Sequence, residues 1–406
     1  MHIVYLHQYF NTPQMSGSTR SFEIGRRLAA AGHTIDMVTS WREPSKVRGW
    51  YCSDVEGMRV HWLPVPYSNR MRYPVRIGAF LRFAGAAARR AVELGGDVIF
   101  ASSTPLTIAI PAMYAARRRR IPMVFEVRDL WPELAIAMGA LANPLTRFAA
   151  RWLERRAYAS AARVIALSPG MAAGVARSGY PPQRITVVPN GSDVSFFARD
   201  AQRGRALRRA LGIDDERVVI GYTGTFGRIN GLRYLVEVAV ALRHDPRFVF
   251  LLMGDGQERE ELRELALSYG VLDLNVLMHA PVTKQEMPAV LSALDVATSL
   301  FLPIPEMASN SANKFFDALA AGCCVAINYG GWQAELLRES GAGLQLAASP
   351  REAAQQLREL AHDRRRLEAA GRKARQLAVE RFSFDLLAEQ IEAVVREACA
   401  QFRQCG

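Results

Sequence analysis

A lysine and an aspartate three residues apart, at the start of a predicted helix, could together hold a ligand that carries phosphate and sugar hydroxyl groups. Lys314 ends a polar loop, 309–314, and Asp317 lies in the helix predicted over 315–321, which stops at Gly322. A helix N-terminus offers unpaired backbone N–H groups and the positive end of its dipole to an anion. Lys314 would add a cation, and Asp317 would accept hydrogen bonds from hydroxyl groups. A nucleotide or nucleotide sugar fits this chemistry; the alternative is an ordinary loop, helix and strand with a surface lysine.

The segment 305–335 resembles the donor motif of the retaining glycosyltransferases of family 4, which have the GT-B fold. Many members carry a glutamate, seven residues and a second glutamate that binds the nucleotide ribose, and the resemblance puts Asp317 at this second place. Ser309 stands at the first place, and Glu306 is a candidate to replace the missing glutamate that contacts the sugar. The form NSANKFFDALAAG is similar to a branch that builds bacterial surface polysaccharide. The donor-site residues implied here are Glu306, Ser309, Asn313, Lys314 and Asp317.

A loop dense in glycine, GYTGTFGRINGL over 221–232, lies between a predicted strand and a predicted helix. Such glycine density indicates a backbone held close to another group. Arg228 has the planar fork that suits a diphosphate. Many members of the family place an arginine and a lysine here, at positions that become Thr225 and Asn230, so Arg228 is offset from the usual place. All three residues are assigned to donor binding.

Three more positions are assigned to the donor because they resemble family segments. Gly254 lies in a strand-to-helix turn similar to the glycine turn near the nucleobase. Val282 belongs to a segment similar to the one that lines the base, whereas His279 beside it is interpreted as a structural histidine. Gly17 follows the first strand, where a glycine lets the backbone approach a phosphate.

The motif EVRDLWPE, over 126–133, supplies the candidate catalytic residues. Related enzymes often have a histidine and an aspartate where this chain has Arg128 and Asp129. Arginine stays protonated at neutral pH, so a catalytic Arg128 would act electrostatically. Asp129 and Glu133 are the carboxylates expected to face the acceptor hydroxyl. The alternative is a helix cap, with Asp129 near a helix start and Pro132 in its first turn.

No metal or other cofactor is expected. No Asp-x-Asp sequence occurs, the seven histidines are scattered, and the five cysteines lack the spacing of a metal site. Arg228, Lys314 and a helix dipole could neutralise a departing diphosphate without Mg²⁺. Few and odd-numbered cysteines also favour a reducing compartment.

These residues require a scaffold of alternating strands and helices. Apolar strands such as His2–Leu6, 34–39 and 218–223 are separated by helical segments, which predicts parallel sheets in doubly wound α/β domains. We expect two Rossmann-like domains, 1–190 on the acceptor side and 191–383 on the donor side, with a ligand cleft between them. The family resemblance adds that a last helix, about 384–402, packs back on the first domain.

Charge separates the two halves. Residues 1–200 carry a net charge of +13 and residues 201–406 carry −1, for a total of +12. The segment 69–90 mixes Arg70, Arg72, Arg76 and other arginines with aromatic and aliphatic residues, and the basic run 117–120 follows. This composition is typical of a helix at a membrane interface; the alternative is a core helix with a solvated basic face.

The resemblance and the charge together predict transfer of a sugar from a UDP-sugar to a polyprenyl-diphosphate-linked saccharide, in O-antigen or capsule synthesis. An N-acetylated hexosamine or deoxyhexosamine is the expected sugar. The protein would be cytoplasmic and peripheral on the inner face of the membrane, because no secretory signal precedes the first strand. The alternatives are a nucleotide-sugar epimerase of the same fold and a non-enzymatic nucleic-acid-binding protein. An epimerase would not need the basic segment. The chain lacks the aromatic platform strands expected of a protein that binds single-stranded nucleic acid, so no nucleic acid is expected as a partner.

Overall fold

The structure, a computed structural model, describes residues 1–15, 17–68, 71, 73–137, 139, 141 and 143–405. The chain divides into two compact units. The first comprises Met1–Pro189 with Asp385–Gly406, and the second comprises Asn190–Phe384. The predicted boundary after residue 190 lies one residue from this division.

In most of the first unit, strands alternate with helices, and these strands are apolar because both faces of the sheet are covered. The strands are β1 (His2–Leu6), β2 (Thr34–Trp41), β3 (Tyr51–Val55), β4 (Met58–Pro64), β5 (Val98–Ser102), β6 (Met123–Val127), β7 (Arg163–Ala166) and β8 (Ile185–Val187). The helices are α1 (Arg20–Ala30), α2 (Tyr73–Leu94), α3 (Ala109–Arg119), α4 (Glu133–Ala137), α5 (Pro144–Ser160) and α6 (Pro169–Arg177).

Among the described residues, these strands form one sheet in the order β3-β4-β2-β1-β5-β6-β7-β8. All neighbouring pairs are parallel except β3 and β4, which form an antiparallel hairpin at the edge. The predicted parallel pairing missed this hairpin. Its turn residues Glu56 and Gly57 both have positive φ, 49° and 79°, as a tight two-residue turn between antiparallel strands requires.

The second unit is a doubly wound sheet with every neighbouring strand pair parallel, in the order β11-β10-β9-β12-β13-β14. Its strands are β9 (Val218–Thr225), β10 (Phe248–Asp255), β11 (Val276–His279), β12 (Val296–Ser299), β13 (Cys324–Ile327) and β14 (Gly343–Gln345). Its helices are α7 (Ala201–Ala210), α8 (Arg233–Ala241), α9 (Arg259–Ser268), α10 (Met287–Ala293), α11 (Asn313–Ala320), α12 (Trp332–Ser340), α13 (Pro350–Ala361) and α14 (Arg364–Arg381).

The last helix, α15 (Phe384–Cys405), belongs to the first unit from Asp385 onwards. Its side chains bind residues far away in sequence. Nε of Arg27 donates to Asp385 at 2.6 Å, and His33 lies 2.9 Å from Glu392. Arg163 donates to Glu397 at 3.0 Å. These ion pairs attach the helix to the first unit.

No helix in the described part of the chain is long and apolar enough to span a bilayer. The prediction of two parallel-sheet α/β units is confirmed. One detail near the candidate residues differs: the helix predicted over 315–321 begins at Asn313 and ends at Ala320. Asn313 and Lys314 therefore lie in its first turn and not in the preceding loop.

Candidate functional site

In the second unit, the direction of winding reverses between β9 and β12, which are neighbours in the sheet. Loops that leave two such strands at their carboxyl ends enclose a crevice, the usual ligand position in an open α/β sheet. The loop after β9 contains the short 3₁₀ turn Arg228–Asn230. The segment after β12 contains the turn Pro305–Ser309 and then enters α11. Most of the residues predicted to bind the donor are located in these two segments.

Lys314 reaches from the first turn of α11 to β9 and the loop that follows it. Its Nζ donates to the hydroxyl of Tyr222 at 2.7 Å and to Oδ1 of Asn230 at 2.9 Å, and lies 4.3 Å from the centroid of the Tyr222 ring. No carboxylate in the described part of the chain pairs with this ammonium group. Burial lowers the pKa of Lys314 to about 7, because desolvation penalises the charged form. We call Lys314, Tyr222 and Asn230 the lysine cluster.

Thr225 supports the lysine cluster through its backbone. Its carbonyl oxygen accepts hydrogen bonds from the Tyr222 hydroxyl at 2.9 Å and from Nδ2 of Asn230 at 3.0 Å. Because Nδ2 donates to this carbonyl, Oδ1 of Asn230 faces Lys314. The Thr225 carbonyl thus orients both neutral partners of the lysine. Thr225 itself is exposed to solvent.

The glycines around the cluster are required for different reasons. Gly224 has a φ of 134°, and a Cβ there would lie 4.0 Å from Nζ of Lys314. Gly254 pairs with Gly224 across the sheet, and a Cβ on Gly254 would collide with the carbonyl group of Gly224. Gly254 is therefore explained by close packing of β10 on β9, without a ligand.

The first turn of α11 has no side-chain cap, since its N-cap residue is Ala312. Asn313 is the first helical residue and is half-buried, as are Glu306 and Ser309 in the preceding turn. Backbone N–H groups at an uncapped start can serve a bound anion. One turn further on, Oδ1 of Asp317 accepts a hydrogen bond from the Ser192 hydroxyl at 2.7 Å. Lys314 and Asp317, three residues apart, share one side of the helix.

Arg228 and Val282 are two further predicted donor residues, and neither belongs to the lysine cluster. Arg228 is exposed. Burial raises the pKa of Glu258, and the positive charge of the nearby Arg228 partly opposes this increase. Val282 follows β11 and packs on the hydrophobic core of the second unit. The described residues contain no group of three or more histidine, cysteine, aspartate or glutamate side chains that could hold a metal ion.

In the first unit, Arg128 is held by two partners from the amino-terminal segment. Its guanidinium donates to Oγ of Ser18 at 2.9 Å and to Nε2 of His7 at 3.2 Å. Since arginine only donates, His7 must accept at Nε2 and carry its proton on Nδ1, which lies 2.8 Å from Oγ of Ser21. Burial and the Arg128 charge lower the pKa of His7 well below its usual range, which keeps the ring neutral.

The two candidate catalytic carboxylates differ in environment. Oδ2 of Asp129 accepts a hydrogen bond from the Thr104 hydroxyl at 3.0 Å, and burial raises the pKa of Asp129 despite this bond and the nearby Arg128. Glu133 is exposed at the start of α4. Asp129 is not an N-cap, because α4 begins four residues later. The helix-cap alternative is therefore wrong for Asp129.

Gly17 has a φ of 126°, and its loop is braced by Asn11, whose Nδ2 donates to the carbonyl of Ser18 at 3.1 Å. Next to this loop, the sequence analysis missed a buried ion pair, in which Arg20 and Glu126 approach to 2.9 Å with neither side chain exposed. His7 and Tyr222 were also missed. A usable signal existed for His7, because it directly follows a buried strand, and for Tyr222, because it lies near the carboxyl end of another.

Two family models match the chain. The "Glycosyl transferase 4-like domain" model matches residues 17–191 and the "Glycosyl transferases group 1" model matches residues 217–363. Among curated relatives, an Escherichia coli K12 protein described as a colanic acid biosynthesis glycosyl transferase, WcaI, is 23% identical over 65% of this chain and 68% of its own length. The 2-deoxystreptamine glucosyltransferase of Streptomyces kanamyceticus is 29% identical over 45% of this chain and 46% of its own length.

Solved structures match almost the whole chain. Sucrose-phosphate synthase from Thermosynechococcus elongatus has a TM-score of 0.81 at 18% identity, and covers 98% of this chain and 99% of its own. Anabaena HepE in complex with UDP has a TM-score of 0.73 at 17% identity, with 98% and 100% covered. WaaG, a glycosyltransferase involved in lipopolysaccharide biosynthesis, has a TM-score of 0.69 at 16% identity, with 97% and 99% covered. The fold is GT-B, and the two matching domain models identify the chain as a glycosyltransferase.

Proposed function

We propose that this GT-B glycosyltransferase transfers a sugar from a UDP-sugar to a polyprenyl-diphosphate-linked saccharide in the synthesis of bacterial surface polysaccharide, with retention of configuration. Support comes from relatives whose names refer to colanic acid and lipopolysaccharide biosynthesis, and from HepE complexes that contain UDP, glucose with UDP, or UDP-glucose. The donor-loop form NSANKFFDALAAG is similar to that of the O-antigen enzyme WbuB, which suggests an N-acetylated hexosamine or deoxyhexosamine as the transferred sugar.

The lysine cluster carries the donor proposal. A desolvated ammonium with neutral partners lacks a counter-charge, and a diphosphate would supply one. Lys314 also stands at the uncapped start of α11, where N–H groups and the helix dipole favour the same anion. As the bond to the sugar breaks, negative charge builds on the departing diphosphate, and these groups stabilise it. We propose that the reaction needs no divalent metal.

The same cluster accounts for a departure from the family pattern. Many relatives carry a lysine where this chain has Asn230, and Lys314 brings its ammonium group to 2.9 Å from Oδ1 of Asn230. The cation would thus be delivered from α11 instead of the loop after β9. Asp317 is proposed to hold the ribose hydroxyls, and Glu306 with Ser309 to contact the sugar. Arg228 is proposed to reach the diphosphate from its exposed position.

For the acceptor, we propose that Asp129 is the group that accepts a proton from the attacking hydroxyl. A raised pKa brings a carboxylate closer to the working range of a general base. Glu133 is the second candidate. Arg128 keeps its charge and is fixed by His7 and Ser18, so it would act electrostatically. We place the enzyme on the cytoplasmic face of the inner membrane, although Arg70 and Arg72 of the predicted basic segment lie outside the described residues.

A panel of UDP-, GDP-, ADP- and dTDP-sugars tests the donor by thermal unfolding. A ligand at 100 times its dissociation constant stabilises the folded state by about 2.7 kcal/mol, so one nucleotide should stand out. Incubation of the selected donor with a polyprenyl-diphosphate saccharide should then lengthen the lipid product. Conversion of the nucleotide sugar into an epimer without acceptor would favour the epimerase, and salt-sensitive retention on DNA without any nucleotide-sugar effect would favour nucleic-acid binding.

A further inference from the structure

Helix α5 exposes a stripe of large apolar side chains. Leu145, Phe148 and Trp152 are 76%, 71% and 55% exposed, and their spacing of three and four residues puts them on one side of the helix. The opposite side is buried through Glu154, Ala157 and Tyr158. A helix already anchored by one face thus presents a second apolar face to solvent, which indicates a partner.

Cations border this stripe. Arg151 and Arg155 lie along one edge and Arg156 along the other, all exposed, and the Arg156 guanidinium is 5.9 Å from the centroid of the Trp152 ring. The helix carries one carboxylate, Glu154, which is buried and accepts a hydrogen bond from the Tyr158 hydroxyl at 3.0 Å. The exposed surface of α5 is therefore apolar in the middle and positive at its margins.

The neighbouring helices extend the same surface. Helix α3 packs against both α5 and α2. Both neighbours add exposed apolar groups, such as Leu81 at 53% and Tyr114 at 50%. They also add arginines, and the exposed carboxylate in the described parts of α2 and α3 is Glu93.

We infer that α5 is inserted into the surface of an anionic lipid bilayer, with Leu145, Phe148 and Trp152 below the headgroups and the flanking arginines on lipid phosphates. An apolar stripe bordered by cations is the pattern of a helix that lies in the membrane interface. Each arginine near an anionic leaflet gains favourable interaction with it. Nucleic acid offers the phosphates but no apolar layer for the leucine and phenylalanine. The inference rests on the proposed function in one respect: contact with the membrane would hold the enzyme at a lipid-linked acceptor.

The experiment uses the full chain and vesicles of phosphatidylcholine with or without phosphatidylglycerol. The test variant combines Leu145→Gln, Phe148→Gln and Trp152→Gln. Its control combines Leu267→Gln and Leu274→Gln, which change leucines of 60% and 56% exposure in the second unit. We expect the test variant to lose at least about tenfold in partitioning into anionic vesicles, because it lacks the three apolar side chains that the bilayer would bury. The control should partition like wild type.

A second measurement does not depend on the triple variant. Brominated acyl chains should quench part of the tryptophan fluorescence of the bound wild-type protein, and Trp152→Phe should remove that quenching while vesicle binding persists. Arg151→Glu with Arg155→Glu should weaken binding to anionic vesicles, whereas Arg338→Glu with Arg372→Glu, on exposed helix faces of the second unit, should not. If bound wild type shows no quenching at Trp152, or the triple variant partitions like wild type, the inference is wrong.

Other occupants give distinct results. If the triple variant changes the oligomeric state and not vesicle binding, the stripe is a contact between copies, and the membrane inference is overturned. Donor binding separates the two proposals: a triple variant still stabilised by the selected UDP-sugar has lost only its membrane contact. If no nucleotide sugar stabilises the wild type but vesicle binding still depends on α5, the donor proposal fails and the membrane surface stands.

Discussion

Binding of a nucleotide sugar should be accompanied by uptake of a proton at Lys314. In the free protein, burial lowers the pKa of this ammonium group from 10.5 to about 7, so at pH 8 most molecules carry a neutral lysine. A diphosphate beside Nζ favours the charged form and raises the pKa again. Protons are therefore bound during association, and raising the pH must weaken the apparent affinity.

The size of the effect follows from these two values. With a free pKa of about 7, about nine tenths of the lysine is neutral at pH 8 and about one tenth at pH 6. If the bound pKa returns close to 10.5, association takes up about 0.9 proton at pH 8 and about 0.1 at pH 6. Between pH 7 and the bound pKa, the affinity should fall by up to tenfold per pH unit, or about 1.4 kcal/mol.

Calorimetric titration in two buffers with different ionisation enthalpies counts these protons. A UDP-sugar is preferable to UDP, because its diphosphate is esterified at both ends and has no ionisation near neutral pH. Lys314→Met, which keeps the length of the side chain and removes the charge, should abolish the uptake and flatten the pH dependence. Lys46→Met, at an exposed position in the first unit, should behave as wild type. Equal heats in both buffers at pH 8 for the wild-type protein would refute the assigned role of Lys314.

Three further outcomes are expected. Asp317→Ala should weaken UDP-sugar binding by about 1.5–3 kcal/mol, the value of hydrogen bonds to a charged group, and unchanged calorimetric affinity in a folded variant would remove Asp317 from the site. Transfer activity should survive EDTA; loss that Mg²⁺ or Mn²⁺ restores would overturn the proposal of metal-free chemistry. Arg20→Met should lower the free energy of unfolding by about 3–5 kcal/mol in urea titrations, because it strands the buried Glu126 carboxylate; a double variant that also carries Glu126→Leu should recover part of this loss.

The alternation of strands and helices was predictable because each buried strand is a continuous apolar run. Strands β9 and β10 illustrate this, since their central residues are buried on both faces of the sheet. Edges were harder. The hairpin of β3 and β4 was missed because β3 alternates between half-buried and exposed residues and offers little apolar signal. The start of α11 was placed two residues late because Asn313 and Lys314 have the polarity of a loop.

Individual residues of the site were predicted from the sequence, but the contacts between them were not. Lys314 and Asn230 were both assigned to the donor, yet they are 84 residues apart, and only the reversal of winding between β9 and β12 brings them together. Gly254 was assigned to the donor because its turn resembles the glycine turn near the nucleobase, whereas the close neighbour of Gly254 is the backbone of β9. Sequence spacing cannot distinguish a ligand from a neighbouring strand, since both exclude a Cβ atom.

Arg20 and Lys314 differ in a way that separates structure from function. Arg20 is fully buried against Glu126, and its remaining N–H groups donate to the carbonyls of Val188 and Pro189. Its charge is thus balanced within the fold. Lys314 is held by a phenol and an amide, which orient Nζ without neutralising it. Such an arrangement costs folding free energy that a paired lysine would not, and the cost is recovered only when an anion arrives. A site whose desolvated lysine gains its full charge only beside a diphosphate is suited to an enzyme whose substrate brings that diphosphate.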